Sequence, residues 1–316
     1  MDEREEKSKI LIIGGTGRVG SLIVRASIKA SHPTFLLVRP STIVLDSWKS
    51  KLVNSFKREG ATILYGDLGD YDSLIRAIKQ VDVVISAVGH EGRSEVKGQL
   101  MLLDAIQQAG NVKRFYPSEF GNDLEQVRLV EPAKSMLAHK LVLRQAMREK
   151  GIPHTIVFNF FFHGFYLPRL GQAEATSAHT DGKVFISGDG NTKAIFVNEV
   201  DVAKYTIRSV DDPVTLNKVL YVRPPANFYT LNELVSLWEE KNGKKLERIY
   251  VPEEALLKKI EDSPFPLNFQ LAIAHSAFIN GDQTNLEIDP VVGVEASVLY
   301  AGLKYITVDE FLSNLV

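Results

Sequence analysis

The 316-residue sequence contains no cysteine. That excludes disulfides, thiolate nucleophiles and cysteine-ligated metal, and it fits a reducing compartment. Neither sign of charge is in excess: 37 Lys and Arg stand against 39 Asp and Glu, a formal net charge of −2. No basic block interrupts this balance, which argues against nucleic acid and anionic membranes as partners. No apolar run approaches the roughly 18 residues that span a bilayer. The first residues, Met1 to Lys7, are charged and lack the apolar segment of a secretory signal. The expectation is a cytoplasmic protein. With 45% hydrophobic and 24% charged residues, the composition is that of an ordinary globular chain, long enough for one large or two modest domains.

What is present is organised around residues 9–20. Lys9 is followed by Ile10, Leu11, Ile12 and Ile13, an uncharged run that reads as a buried strand. Next come Gly14, Gly15, Thr16, Gly17, Arg18, Val19 and Gly20, leading into a helical pattern from Ser21. A strand, a glycine-rich turn and a helix start form the first βα turn of a dinucleotide-binding fold. One glycine makes the tight turn, another lets the backbone approach a pyrophosphate, and the last lets helix and strand pack closely. The helix N-terminus offers N–H groups to phosphate. The spacing G-x-x-G-x-x-G is a variant of the commoner G-x-G-x-x-G.

A second strand, Thr34 to Val38, ends at Arg39, which lies 19 residues after Gly20. NAD-specific folds place a carboxylate there for the ribose 2′-hydroxyl. A guanidinium suits a 2′-phosphate instead and points to NADPH, with Lys49 as a second cation. The alternative for both is a plain surface cation, a reading that weighs more for Lys49 than for Arg39. A helix over 48–59 closes at Gly60, and strand 62–65 precedes Asp67, either an adenine neighbour or a solvated turn residue. Helix 72–80, strand 81–88, helix 95–109, strand 114–117, helix 133–149 and strand 154–158 follow. This alternation predicts an α/β fold with a doubly wound parallel sheet. Ligands in such sheets sit at the strands' C-terminal ends, which here carry Gly14 to Gly20, Arg39, Asp67, Ser86, Ala87, Val88, Gly89, and Ser118 to Gly121.

Beyond Asn159 the regularity breaks. An aromatic stretch, Phe160, Phe161, Phe162, His163, Gly164, Phe165 and Tyr166, leads to a loop over 167–182 and short strands over 183–197 joined at Gly188-Asp-Gly190. Asn198 can cap a helix to about 210, and Thr230…Glu233 and Thr307…Glu310 are capping boxes. Residues 250–280 read as further helix. The expected domains are 1–158 for the cofactor, with returning elements from about 191–225, and 159–190 with 226–316 as a smaller C-terminal α/β substrate domain.

A nicotinamide site needs a proton donor or acceptor near the transferred hydride. The Tyr-x-x-x-Lys pair of short-chain dehydrogenases is absent from the helix where it belongs. Its one occurrence, Tyr300…Lys304, lies near the C-terminus, outside any βαβ unit, and reads as coincidence. Helix 133–149 offers Lys134 and Lys140. Six residues are about 600° of helix rotation, so the two do not share a face. One can enter the cleft while the other is solvated, and spacing does not say which.

The glycine turn together with HPTFLLVRPST (32–42), QVDVVISAVG (80–89), GNVKRFYPSEFGND (110–123), VEPAK (130–134), ISGDGN (186–191), TLNKVLYVRPPAN (215–227) and YITVDEFLSNLV (305–316) resembles the plant isoflavone-reductase-like group over nearly the whole chain. The resemblance is greatest to phenylcoumaran benzylic ether reductases, with pinoresinol–lariciresinol reductases and eugenol synthases as relatives. It implies an atypical short-chain dehydrogenase fold using NADPH, with a single catalytic lysine that falls on Lys140. It implies that Arg39 and Lys49 bind the 2′-phosphate, that Phe162 lies beside the nicotinamide, and that His275 lines the substrate pocket. The substrates implied are phenols with a benzylic or allylic oxygen. Lys140 would take the para-phenol proton, the oxygen would leave, and hydride would reach the resulting quinone methide. For an isoflavone the lysine would handle a proton differently.

The cofactor contacts expected are therefore Gly14, Thr16, Gly17, Arg18, Val19, Gly20, Arg39, Lys49, Ser86, Ala87, Val88, Ser118 and Phe162. The substrate contacts expected are Asn159, Phe161, His163, Phe165, Tyr166 and His275, with no metal. Partners are a small phenolic or other aromatic substrate and, as one option, a second copy in a homodimer. Two departures from the group stand out. Where its members read NCFAGYF, this chain has Phe160 to Tyr166, with Asn159 one place early, so the bulk of Phe161 and His163 is expected to narrow or reshape the pocket. The loop Gly89 to Gln99, carrying Arg93, is about three residues longer than in members of the group by the same comparison. Alternatives are a reductase of an isoflavone, lignan, allylphenol ester or alkaloid, and, in another class, a redox sensor binding NADP(H) without turnover. Lys140 and the aromatic stretch favour an enzyme.

Overall fold

The computed structural model describes residues 6–89, 93–173 and 182–316; residues 90–92 of the long loop lie outside them. The first half alternates as its pattern requires: β1 (Ile10–Ile13), α1 (Arg18–Lys29), β2 (Thr34–Val38), α2 (Pro40–Leu45), α3 (Ser47–Glu59), β3 (Thr62–Tyr65), α4 (Tyr71–Ile78), β4 (Val83–Ser86), α5 (Arg93–Ala109), β5 (Arg114–Tyr116), α6 (Ala133–Glu149) and β6 (Thr155–Phe158). The strands form a parallel sheet in the order β3-β2-β1-β4-β5, with Ile10 level with Thr34 on one side and Val83 on the other. This is a Rossmann-type sheet. The central strand β1 is buried at all four positions, as helices on both faces demand, whereas edge strand β3 is exposed at both ends.

Local signals account for many boundaries. Asp46 accepts from the Lys49 N–H to cap α3, and Gly60 at φ +109° closes it. Asp70 caps α4 in the same way. The short helix α2 was not visible in the pattern; Pro40 at its first position pre-sets the helical φ.

The second half contains β7 (Phe161–Phe162), α7 (His163–Tyr166), β8 (Lys183–Ser187), β9 (Lys193–Val197), α8 (Glu199–Arg208), β10 (Lys218–Tyr221), β11 (Phe228–Thr230), α9 (Leu231–Asn242), β12 (Glu247–Val251), α10 (Glu253–Asp262), α11 (Leu267–Phe278), β13 (Gly293–Glu295), α12 (Ala296–Leu299) and α13 (Val308–Ser313). Asn198 caps α8, and both threonine capping boxes form, at α9 and α13. The stretch read as helix from 250 begins instead with the end of β12. Strands β8 and β9 flank Gly188 and Gly190 but do not pair with each other. β8 runs parallel to β12, while β9 lies between parallel β7 and antiparallel β11.

β6 meets the main sheet through a bridge between Phe115 and His154, and β10 and then β13 extend it in parallel. Two apolar cores result. The larger encloses the main sheet, and the second gathers Phe161, Phe196, Trp238, Phe278 and Leu312 around β7–β9 and α9. Phe160 belongs to the first core and Phe161 to the second. Adjacent residues thus nail the crossover between them. Among the described residues no helix is long and apolar enough to cross a membrane, and no cluster of His, Asp and Glu could hold a metal.

Arg114 is a charged residue inside β5, only 5% exposed. Its guanidinium donates to Thr215 Oγ1 and to the Asp212 carbonyl, each at 2.8 Å, and to the Ser209 carbonyl. It thereby satisfies main-chain acceptors just beyond the C-terminus of α8, where a cation also complements the helix dipole. Arg114→Met should remove the charged donor that these groups share, leaving the carbonyls only the Asp212 and Thr215 N–H groups and the Thr215 hydroxyl, and cost about 1–3 kcal/mol in urea unfolding. A loss below about 0.5 kcal/mol, the level of an ordinary surface change, would refute this account of β5.

Candidate active site

Gly14 sits at φ +82°, where a Cβ would lie 2.4 Å from the Ala87 carbonyl oxygen, so the turn after β1 requires glycine. The Gly17 N–H closes the turn on the Gly14 carbonyl at 2.9 Å. Gly20 is needed for a different reason: its Cβ would come within 2.2 Å of that same Gly14 oxygen. Gly17 caps α1 without a side-chain acceptor. Helix geometry then leaves the N–H groups of Arg18, Val19 and Gly20 without intrahelical acceptors, a ready site for an anion.

A cavity of about 320 Å³ opens in front of this turn. Gly14, Thr16 and Gly17 line one side, Arg39 and Lys49 the far end, and Asp67, Ala87 and Val88 complete it. Arg39 has 63% of its side chain exposed and lies 3.9 Å from Asp67; Lys49 pairs with Asp46 at 3.2 Å. Exposed pairs of this kind contribute little, so both cations remain able to meet a phosphate. Asp67 makes a local turn, accepting from the Gly69 N–H at 2.7 Å. Ser86 is fully buried and its Oγ finds no partner among the described residues. Ser118 donates to the Val88 carbonyl at 2.7 Å, tying the loop after β5 to the wall of the cavity.

The next residue in that loop reaches α6. Lys140 Nζ donates to the Glu119 carbonyl at 2.9 Å, whereas Lys134 is exposed. Burial pushes the Lys140 ammonium below the ordinary lysine range, and the Arg144 charge lowers it further against the pull of Glu119. A continuous set of contacts, Val88 to Ser118, Glu119 and Lys140, therefore joins the cavity wall to one lysine. Tyr300 and Lys304 take no part: Tyr300 is buried and donates to Asp212 at 2.8 Å.

Residues 6–312 match the model of the NmrA-like family. The chain belongs to the NmrA-like family. It is 57% identical over 309 residues to eugenol synthase 1 of Petunia hybrida, covering 98% of this chain and 99% of the relative. Identity is 56% over 310 residues to a phenylcoumaran benzylic ether reductase of Pyrus communis, with the same coverage. Among solved structures, AtPrR2 with NADP+ and (+)pinoresinol superposes with a TM-score of 0.92 at 40% identity, covering 98% of this chain and 99% of that one.

In this family member the glycine turn, the ends of β4 and β5, Lys140 and the segment after β6 all gather at one end of the sheet. A nucleotide with a 2′-phosphate fits the donor set: helix N–H groups at the turn and two cations at the far end of the cavity. Asn159 is fully buried, and its N–H and that of Phe160 both donate to the Gly121 carbonyl at 3.1 Å. Phe160 adopts φ +58°, the left-handed region that disfavours a bulky side chain. Phe162, Phe165 and Tyr166 are half-buried. The Phe165 ring lies 4.0 Å from the Arg169 guanidinium and 5.9 Å from that of Arg18, which links the aromatic stretch to the phosphate turn.

Phe161 and His163 do not narrow the cleft as expected. Phe161 is 2% exposed, stacks on Tyr166 at 3.8 Å and packs against Phe196 and Phe278; His163 is 0% exposed with its ring edge-on to Phe311. Their bulk fills the second core. His275 is buried on α11 and its Nε2 meets Glu253 on α10 at 2.9 Å. The buried partners of Lys140 were missed in the sequence: Arg144 grips Glu119 and Asp123, and Tyr221 donates to Asp123. The signal was the four-residue spacing from Lys140 to Arg144 and the two acids of SEFGND.

Burial pushes His163 down to about 4, against a smaller opposing pull from the Phe196 main chain. Its unfolded-state value is near 6.5. Between these values the unfolded chain binds the extra proton, so stability falls as pH drops through that window. The cost at pH 4 is about 3 kcal/mol at 1.36 kcal/mol per unit. Unfolding of wild type and His163→Leu should diverge progressively from pH 6.5 to 4, with the variant less acid-sensitive. Parallel curves would mean that His163 is protonated in the fold.

Proposed function

We propose that the chain is an NADPH-dependent reductase of phenylpropanoid-type phenols, with Lys140 as general base. The observation that carries this reading is the Lys140 amine, held at the end of the sheet by the Glu119 carbonyl with its proton affinity lowered. A lysine must be neutral to accept a proton, and burial enlarges that fraction near neutral pH.

Bound in the cavity, NADPH would supply a hydride. The N–H groups of Arg18, Val19 and Gly20 would hold its pyrophosphate and Arg39 and Lys49 its 2′-phosphate, with Phe162 a candidate neighbour of the nicotinamide. Lys140 takes the proton of a phenol whose para side chain carries a benzylic or allylic oxygen. The phenolate electrons then drive that C–O bond to break, and the oxygen leaves as a phenoxide or carboxylate with the bonding pair. The exocyclic carbon of the resulting quinone methide would be the acceptor for that hydride, and the restored phenolate can recover its proton from Lys140. A free para-hydroxyl is therefore required. The 57% and 56% identities to a eugenol synthase and an ether reductase support substrates of this class.

NADPH oxidation should be followed with a phenylcoumaran, pinoresinol, an isoflavone and a coniferyl ester. Turnover of at least one is expected, falling about 10²–10⁴-fold in Lys140→Ala and staying within about twofold in Lys134→Ala. Methylating the para-hydroxyl should abolish it. Silence across all four by an NADPH-binding protein would discard the reading and leave a reductase of another substrate or an NADP(H) sensor. Separately, Arg39→Ala should weaken NADPH about tenfold or more with little effect on NADH, as expected for one lost charge-assisted pair. Equal weakening of both cofactors would remove Arg39 from the 2′-phosphate.

A further inference from the structure

Lys140 and Arg144 are one helical turn apart on α6 and so share a face. Both reach the segment between β5 and α6, by different means. Lys140 bonds to the main chain of Glu119; Arg144 takes the Glu119 side chain, Nε to Oε1 at 2.8 Å and Nη2 to Oε2 at 3.1 Å. The remaining Nη1 holds Asp123 at 2.9 Å, whose other oxygen receives the Tyr221 hydroxyl at 2.9 Å. Glu119, Asp123 and Arg144 are all at most 4% exposed.

Between the two gripped acids the backbone is strained. Phe120 has φ +26°, a conformation a bulky residue keeps only where its surroundings over-determine it. Release of either acid would let this segment relax and carry the Glu119 carbonyl with it. The guanidinium also lies 4.8 Å over the ring of Phe158, at the end of β6. The residues that follow, Asn159 and Phe160, hang from Gly121 within the same gripped segment.

We propose that Arg144 is a positioning residue for Lys140: by locking the Glu119 side chain it fixes the carbonyl from which the Lys140 amine is suspended, and with it the approach of that amine to substrate. This rests on the reading of Lys140 as general base. The fork geometry matters as well as the charge, because two parallel N–H bonds fix both the distance and the plane of the Glu119 carboxylate.

The test uses whichever substrate of the four is turned over. In Arg144→Met, kcat should fall about 10–100-fold, the scale of a reacting group misplaced by about 1 Å. KM and the Kd for NADPH should stay within about threefold. Arg144→Lys, which keeps the charge and loses the fork, should resemble Arg144→Met. In Arg144→Ala, millimolar ethylguanidinium should restore part of kcat where ethylammonium does not. In crystals of Arg144→Met the Lys140 amine should have left the Glu119 carbonyl. If an Arg144 variant does not fold, Glu119→Gln keeps the side-chain shape and should show the same kcat-only loss in smaller degree.

A merely structural role predicts that kcat, KM and NADPH affinity decline together without rescue, and that result overturns the proposal. So does wild-type kcat in folded Arg144→Met. If Lys140→Ala retains turnover, the general-base reading fails. If Lys140→Ala is inactive while Arg144→Met is fully active, that reading stands and this inference alone is lost.

Discussion

The end of the sheet where the site forms is held by one buried guanidinium. Burial by itself weakens the hold of Arg144 on its proton, but the hydrogen bonds and charges of Glu119 and Asp123 more than reverse this and hold it more tightly than in water. Such a group is expensive to desolvate, and removing one partner from a buried pair typically costs about 3–5 kcal/mol. What the expense secures is geometry. Arg144 touches α6, the segment after β5 and the end of β6 at once, and Tyr221 brings in β10 through Asp123. These elements come from positions 119 to 221, so a single cation sets the relative placement of parts the chain itself leaves free to differ.

The phosphate turn achieves its precision by the opposite means. There the absence of two Cβ atoms sets the geometry. Gly14 and Gly20 let α1 start against the main chain of its own turn, and the helix then presents N–H groups at a fixed place. The two halves of the site meet through Ser118, whose hydroxyl reaches the cavity wall at Val88 while the next residue supports Lys140. Two buried atoms at the same end of the sheet find no partner among the described residues: the Ser86 Oγ on β4 and the Asn159 Oδ1 after β6. Each costs about 1–3 kcal/mol if it stays unpaired. The satisfied network and the unsatisfied atoms thus share one end of the sheet, with the strongly paired groups facing α6.

Much of this could be read from the chain because the signals are local. The β1 run, the glycine turn, Gly60 after α3, and the Thr230 and Thr307 boxes each act within a few residues, where propensity and capping decide. The pairing of β8 and β9 was not legible, since Gly188 and Gly190 mark a reversal but say nothing of which strands lie on either side. Their partners come from 161–162, 228–230 and 247–251. The choice between Lys134 and Lys140 was open on spacing alone, because it depends on where the segment after β5 passes over the helix. Arg144 escaped for the same reason: a helix arginine looks solvated until two acids 21 and 25 residues earlier are folded onto it.

The aromatic stretch shows how tertiary packing reassigns what a pattern suggests. Phe161 and His163 look like bulk added to a pocket, but an extended segment sends successive side chains to opposite faces. Phe161 goes to the second core, where it stacks on Tyr166 and meets Phe196 and Phe278, and His163 follows it to Phe311. Large residues placed there stabilise the crossover between the two cores, and the left-handed Phe160 is held by that packing on either side. Tyr166 packs with them on the second core and Phe162 on the first, while Phe165 stays half-buried. Of these, Phe165 is flanked by Arg169 and by Arg18 of the phosphate turn. Its ring position is thus set jointly by its own loop and by an arginine at the start of the helix that would receive a pyrophosphate.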